Sequence, residues 1–446
     1  MRRRLTGPLP ALAAGTALLL GACSGGGDEP GPGSAEATGS AAGSAGVPAS
    51  VALTTADGVG DGDPLRVGVL LTLRSEPGQG QDVVAAAEGA TVAAYRLRLG
   101  GGDVELEVVD DGGTAAGAEA AVEQLVASDV AGIVAATRGD HLDEALETAT
   151  SAGTAVLLPY EREADLPVGA FATGPDAASV DRALLEAMQA DGLSRPFVLT
   201  ADDVELDVGS ADAAGVGADL DATVARVAEA YDAGRVDSVL VAAAASTQAR
   251  VVAALQGAAP AAPVVLSPEA LSPAFAAGLA EASGTTAGAY LTAGTDAGDA
   301  TTLSQGARPE GVSAFFAALR LAAGDPGITD LFGDAAFAQV AADADTASHD
   351  AVVALAAAAQ AAGSVEPGDV LSALSGLQVG PDDGLAGPAL DFAATGAAAR
   401  ERGRAARHRP GPRGPPRGRR GWWRRERRQC RGPVVLVRRR HDRLSP

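Results

Sequence analysis

The sequence predicts an α/β fold: two Rossmann-like lobes with parallel sheets, joined by a hinge, with a ligand cleft between them. Three observations predict it. Apolar, β-leaning runs alternate with helical patterns, one pair in roughly 30 residues, which is the rhythm of strand–helix–strand units. The alternation comes in two series, each long enough for a sheet of its own. The chain has 446 residues, 47% of them hydrophobic, which supplies two cores and excludes a wholly disordered chain.

The first series opens at Leu65 to Leu73 (LRVGVLLTL), an apolar run suited to a strand buried on both faces. A helical pattern runs from Asp82 to Leu99 and stops at Gly100-Gly101-Gly102. Strands follow at Val104 to Val109, Ala131 to Ala136 and Thr154 to Leu158, with helices at Ala115 to Ala127 and Asp140 to Ser151 between them. The second series has strands at Ala170 to Thr173, Pro196 to Thr200, Ser238 to Ala242, Val264 to Leu266 and Ala289 to Thr292. Its helices are Asp176 to Ala190, Leu220 to Ala233, Thr247 to Leu255 and Pro273 to Ala282. Helices at Gly311 to Ala323, Thr346 to Ala362 and Pro367 to Leu374 then precede a last strand at Pro388 to Phe392. Two parallel sheets in one chain imply a crevice, and ligands of such folds bind outside the carboxyl ends of the strands.

The ends of the chain read differently. Arg2, Arg3 and Arg4 precede a short apolar run, Pro8 to Ala22, which reads as a signal peptide over residues 1–22. Leu20-Gly21-Ala22-Cys23 resembles a bacterial lipobox, which makes Cys23 a lipidation site; the rival is a secreted protein with an idle Cys. Residues 23–63 are rich in Gly, Ala, Ser and Pro and read as a flexible tether, with a span of roughly 35 Å. The net charge is −23, yet from Arg400 to Pro446 there are 18 Arg and three acids. That texture, with both Trp of the chain, reads as GC-rich DNA translated out of frame, with a disordered tail or a nucleic-acid arm as rivals. Residues 397–446 are therefore assigned no folded role and no nucleic-acid partner. With only Cys23 and Cys430, no disulfide framework exists.

Taken in order, the body resembles the type I periplasmic solute-binding proteins, the branch that includes leucine/isoleucine/valine-binding proteins. The resemblance rests on LRVGVLLTL, on AAYRLRLGGGDVELEVVDD (Ala93 to Asp111), on VASDVAGIVAATRG and TAVLLPY, on ASHDAVVALAAAAQAAG (Ala347 to Gly363) and on GLAGPALDFAATG (Gly384 to Gly396). His349 stands where Tyr is usual. The resemblance implies a first lobe of residues 64–166 and 294–375, and a second of residues 167–293 and 376–396. It also implies a lipid-anchored monomer on the extracytoplasmic face of the cell membrane. Such a protein captures a small polar solute, an amino acid or amide, for the permease of an ABC importer. It implies no cofactor and no covalent chemistry. Three rivals stand beside it: a signalling receptor of the same fold, a degenerate homologue without function, and an enzyme. The chain departs from the family after Phe197 to Thr200, where Asp202-Asp203-Val204-Glu205-Leu206-Asp207 follows at once and one helix is missing.

Candidate ligand residues follow from position. Thr137-Arg138-Gly139 lies between a strand and a helix, where backbone N–H groups at a helix start can hold a carboxylate. Thr137 offers a hydroxyl donor, Gly139 close backbone approach, and Arg138 a bidentate partner for an acidic ligand. The blander reading is that Asp140 caps the helix and Arg138 is a solvated loop charge. Tyr160 and Glu161 follow the next strand; the resemblance gives that loop ligand hydrogen bonds, whereas a Tyr packed at the hinge needs none. The position of Glu269 resembles the acid that takes an α-ammonium group in the family, against a plain first-turn carboxylate. Asp202 and Asp203 end a strand of the second lobe, a position from which they are expected to face the same crevice. His141 with Asp143 and Glu144 offers too few ligands for a metal. Gly78-Gln79-Gly80 lacks the third glycine of a dinucleotide fingerprint, since Val83 stands there. No G-x-S-x-G, H-E-x-x-H or G-K-[ST] pattern is present.

Overall fold

The structure is a computed structural model that describes residues 50–54, 63–75, 79–162, 166–202, 204, 206–286, 288–295, 299–303, 305–393 and 435–439. Cys23, the signal peptide, residues 23–49 and 55–62 of the tether, Asp203, Gly78 and most of the tail lie outside the described residues.

The first lobe is a five-stranded sheet, in order β2-β1-β3-β4-β5 and parallel throughout. Its strands are β1 (Leu65–Leu71), β2 (Val104–Asp110), β3 (Gly132–Ala135), β4 (Val156–Leu158) and β5 (Ala170–Ala172), and its crossover helices are α1 (Gly89–Leu99), α2 (Ala115–Ala127) and α3 (Asp143–Ser151). Central β1 and β3 are apolar because helices cover both faces; Val67, Val69, Ile133 and Val134 are fully buried. The helix expected from Asp82 starts late. Two short 3₁₀ turns, Gly80–Val83 and Ala86–Glu88, precede α1. The Ala86 carbonyl, which accepts from Gly89 N within its own turn, also accepts from Asp345 N at 3.1 Å and Ser348 Oγ at 3.2 Å, and so ties this turn to the start of the return helix.

The second lobe carries α4 (Ala177–Ala190), β6 (Pro196–Thr200), β7 (Asp212–Gly215), α5 (Leu220–Asp232), β8 (Ser238–Ala242), α6 (Ala245–Ala258), β9 (Val264–Leu266), α7 (Pro273–Glu281) and β10 (Tyr290–Gly294). The sheet order is β10-β9-β8-β6-β7, all parallel. Strand β7, unpredicted, follows β6 without a crossover helix. In place of a helix, the connection from Ala201 to Ala211 lays Val204, Leu206 and Val208 against the cluster of Val180, Leu184 and Leu240. Apolar side chains at alternate positions thus cover the face that a helix would otherwise bury.

After β10 the chain returns to the first lobe as α8 (Ala307–Gly324), α9 (Thr346–Ala362) and α10 (Pro367–Leu374). Asp345 caps α9 by accepting from Ser348 N at 3.0 Å, and Gly363 (φ +64°) ends it in the left-handed conformation. A two-stranded hairpin follows, β11 (Gln378–Val379) with β12 (Leu390–Asp391), antiparallel. Residues 376–396 were expected in the second lobe. The structure instead packs Val379, Leu385, Leu390 and Phe392 into the first-lobe core with β1, α1 and α9, and Phe392 meets Phe171 edge-on at 5.4 Å. The basic tail, expected to be without structure, supplies β13 (Val435–Arg439), which pairs antiparallel with the β10 edge from Tyr290↔Arg439 to Gly294↔Val435.

A buried ionic network ties the base of the first lobe together. Arg96 on α1 is 1% exposed; it donates to His349 Nε2 at 2.9 Å, Gly384 O at 2.8 Å and Val51 O at 3.0 Å. With Nε2 accepting, His349 carries its proton on Nδ1 and donates to Asp350 Oδ1 at 2.7 Å. Asp350 also accepts from Ala386 N and Gly387 N. Burial holds the Arg96 guanidinium down to about 10, with the Asp350 charge opposing. Because Arg96 grips Ser50–Val51 and Leu53 N donates to Arg96 O at 3.0 Å, the tether expected to be flexible is docked at residues 50–54.

Candidate functional site

Each lobe has one place where strand order reverses, between β1 and β3 in the first and between β6 and β8 in the second. Loops leaving the carboxyl ends on either side of such a point diverge and open a crevice. In the first lobe this point is crossed by hydroxyls: Thr72, after β1, contacts Thr137, after β3. Thr72 Oγ1 donates to Asp111 Oδ2 at 2.8 Å, and His141 Nε2 lies 3.0 Å from the same oxygen. Since the Thr72 hydrogen goes to Asp111, Thr137 must donate to Thr72. Thr137, fully buried, therefore spends its hydrogen inside the protein rather than offering it to a ligand. Gly80 closes the cluster, for a Cβ there would fall on the Thr72 and Thr137 hydroxyls. In the second lobe Asp202, at φ +56°, reaches from the end of β6 to accept from Ala244 N at 3.2 Å, the start of α6. Asp202 is thus a helix cap across the reversal point.

The charged centre of the site joins the lobes. Glu269, after β9, lies in a 3₁₀ turn that Pro268 starts, and its side chain is 2% exposed. Its Oε1 accepts from Arg162 Nη2 at 2.6 Å and from Arg138 Nη1 at 3.3 Å. Arg138 belongs to the loop after β3 and Arg162 to the loop after β4. Burial pushes the Glu269 carboxyl up, but Arg162 and then Arg138 outweigh it and hold it below the ordinary range. A second bond crosses nearby, from Ser272 Oγ at the start of α7 to the Asp82 carbonyl.

The sequence-predicted residues fall into two groups. Arg138, Gly139 and Glu269 come together at the crossing between lobes. Gly139 has φ +127°, open to glycine alone, and a Cβ would crowd His141 Nδ1 at 3.0 Å. Tyr160 instead turns toward the return helix and donates to Asp345 Oδ2 at 2.9 Å. Glu161 Oε1 accepts from Arg162 N at 2.6 Å and so orients the loop that carries Arg162. Sequence reasoning passed over Arg162, although it stands one residue beyond Pro159-Tyr160-Glu161. It also missed the Thr72–Asp111–His141 cluster, whose members are far apart in the chain.

Among the described residues, several side-chain atoms near the ends of strands and helices are buried without a hydrogen-bond partner: Arg138 Nε, His141 Nδ1, Thr173 Oγ1, Asp181 Oδ1, Gln248 Oε1 and Glu269 Oε2. They lie at the carboxyl ends of β3, β5 and β9, or near the amino ends of α4 and α6. Buried polar atoms left unmatched cost about 1–3 kcal/mol each, and two of them, Arg138 Nε and Glu269 Oε2, belong to residues paired across the lobes. A cavity of about 690 Å³ lies elsewhere, along the last turn of α1, lined by Leu53, Arg96, Gln360, Asp382 and Gly384. Its main cation, Arg96, is already spent on His349 and three carbonyls.

Comparison with known proteins gives a consistent picture. The sequence model of the family described as periplasmic binding protein matches residues 64–407. Among solved structures, the branched-chain amino acid transporter substrate-binding protein LivJ from Streptococcus pneumoniae, in complex with isoleucine, aligns with a TM-score of 0.54 at 15% identity, over 72% of this chain and 91% of that one. An ABC transporter substrate-binding protein from Desulfitobacterium hafniense, complexed with Leu, gives 0.53 at 16% identity over 74% and 93%. A solute-binding protein of an ABC transporter from R. palustris, complexed with 4-hydroxybenzoate, gives 0.51 at 13% over 74% and 89%. No curated protein matches the chain.

Proposed function

The chain belongs to the periplasmic binding protein family, and on that premise we propose that it captures a small polar solute, an amino acid or amide in the first instance, and delivers it to the permease of an ABC importer. The observation that carries this reading is the cluster of buried, unmatched polar atoms where Arg138 and Glu269 meet between the lobes. The solutes named for the three similar structures, isoleucine, leucine and 4-hydroxybenzoate, all carry a carboxylate, which is consistent with guanidinium groups at that point.

The mechanism is closure without covalent chemistry. A solute that touches the loops after β3 and β4 on one side and the turn at Glu269 on the other is bound fully only when the lobes meet, so it shifts the population toward the closed form. Arg138, Gly139 and Glu269 are the contact residues in this proposal. Thr137, Tyr160, Glu161 and Asp202 hold the loops that present them. Lipid attachment at Cys23 keeps the protein at the extracytoplasmic face of the membrane, beside the permease.

A thermal-shift screen of amino acids, amides and polyamines tests the reading. A solute at a hundred times its dissociation constant stabilises by about 2.7 kcal/mol, a shift of a few degrees. Absence of any shift across the screen overturns it.

A further inference from the structure

We propose that the base of the first lobe is an acid-released clasp: a proton on His349 makes Arg96 let go of residues 50–54, the strap that enters the lobe ahead of β1. The strap is held in three ways. Arg96 donates from Nε to Val51 O at 3.0 Å and from Nη2 to Ser50 O at 3.3 Å, and its own carbonyl accepts from Leu53 N at 3.0 Å. Val51 packs beside Val92, Phe315 and Phe337, and Leu53 packs against the main first-lobe core. Two glycines leave room for it: a Cβ at Gly100 would fall on the Leu53 carbonyl, and one at Gly384 on the Leu53 side chain.

The grip of Arg96 depends on a neutral imidazole. Arg96 Nη1 donates to His349 Nε2 at 2.9 Å, so that nitrogen must offer a lone pair. A proton there sets N–H against N–H and cation against cation, and neither residue is more than 1% exposed. Arg96 is the partner that gives way, because His349 keeps Asp350. Its Nδ1–H donates to Asp350 Oδ1 at 2.7 Å, and Ala386 N and Gly387 N hold that carboxylate in place. The elements packed around His349 bring few charges. Its own helix supplies Asp350 and α1 supplies Arg96, while α8 presents the Phe315 ring edge-on at 5.1 Å and the turn after Gly384 presents backbone. Burial pushes the imidazole down, the bond to Asp350 opposes this, and the Arg96 charge adds to the push. The neutral form therefore holds above about pH 6.5, and the proton enters as pH falls below it. Glu310, Asp382 and Asp383 line the adjoining cavity with Arg96 and the strap, so their titration must be told apart from that of His349. Release of the strap removes one wall of that cavity.

Hydrogen exchange read by mass spectrometry on the full chain, corrected for intrinsic rates, tests the clasp. One titrating proton changes the docking equilibrium by at most about tenfold per pH unit. Between about pH 7.5 and pH 4.5, protection of residues 50–54 should fall about tenfold or more while β1 and β3 keep theirs. Loss of strap protection only together with β1 and β3 overturns the proposal, as does a strap that stays protected throughout. His349→Gln can still accept from Arg96 and donate to Asp350 but does not titrate, so its strap should stay protected in acid; release like that of the unaltered chain overturns the proposal. The triple variant Glu310→Gln, Asp382→Asn, Asp383→Asn decides independently of whether His349→Gln folds. It should release its strap in acid as the unaltered chain does, and a strap that no longer responds to pH assigns the effect to those acids and overturns the proposal.

Discussion

Arg138 of the first lobe and Glu269 of the second are joined at 3.3 Å, so the two halves of the chain share a buried ion pair at the place where a solute would be held. Arg162 adds a second cation to the same oxygen. The pair therefore links the two lobes through the same atoms that the proposed function assigns to solute contact.

Glu269→Gln leaves two guanidinium groups facing each other without their counter-charge. Removing one partner of a buried ion pair costs about 3–5 kcal/mol. A lower melting temperature is expected, together with a larger radius of gyration by X-ray scattering as the lobes part. The Glu269 carboxyl is held below its ordinary value, so its contribution is present above about pH 4.5 and is lost as pH falls through the lower folded value. An unchanged radius would show that the pair does not hold the lobes.

Two buried groups in the first lobe drive stability in opposite directions with pH. Burial pushes Glu88 up to about 7, against the pull of Leu331 N and the Thr91 hydroxyl. Its contribution is fully present below about pH 4.5 and is lost as pH rises through 7. Burial pushes His349 down, opposed by its bond to Asp350, so its contribution is present above about pH 6.5 and is lost as pH falls. Glu88→Gln should therefore raise the melting temperature near pH 8, by the equivalent of up to about 3 kcal/mol, and change it little near pH 5. His349→Gln should lower stability overall but flatten the decline below pH 6.5. Thermal melts from about pH 5 to pH 8 on both variants check the two signs.

Tyr160→Phe removes the donor to Asp345 Oδ2, the residue that caps α9. A loss of about 1 kcal/mol in denaturant unfolding is expected, with solute affinity unchanged within about twofold. A large fall in affinity would return Tyr160 to the ligand site.

Gly80→Ala places a methyl group onto the hydroxyls of Thr72 and Thr137 and against Thr72 Cβ, which cannot swing aside as a hydroxyl could. Overpacking of this kind costs about 1–3 kcal/mol. It should also displace the turn that carries Asp82 from Ser272, and so weaken solute binding as well as lower the melting temperature.

Much of the site was legible as loop position and little as contact. The chain pattern placed Arg138 and Gly139 in a strand-to-helix loop, and the family resemblance singled out Glu269; the structure brings the three together between the lobes. The roles of Thr137, Tyr160 and Asp202 were not legible, because each depends on a neighbour remote in sequence: Thr72, Asp345 and Ala244. Arg162 carried no motif, and its importance comes from a partner 107 positions away.

Local pattern specified the elements themselves. The runs Pro196–Thr200, Ser238–Ala242, Val264–Leu266 and Thr346–Ala362 fold with the bounds that their hydrophobic periodicity and flanking turn residues predict, because burial rewards a matching period wherever the core lies. The missing helix after β6 was also expected, because Asp202 to Asp207 follows that strand at once where the family resemblance implies a helix. Tertiary packing alone determined where the last hairpin docks, which short strands pair at the sheet edges, and which charges meet across the crevice. Those outcomes depend on partners distant in the chain, and a side chain's sequence carries no record of which of several possible partners will be nearest once two lobes come together.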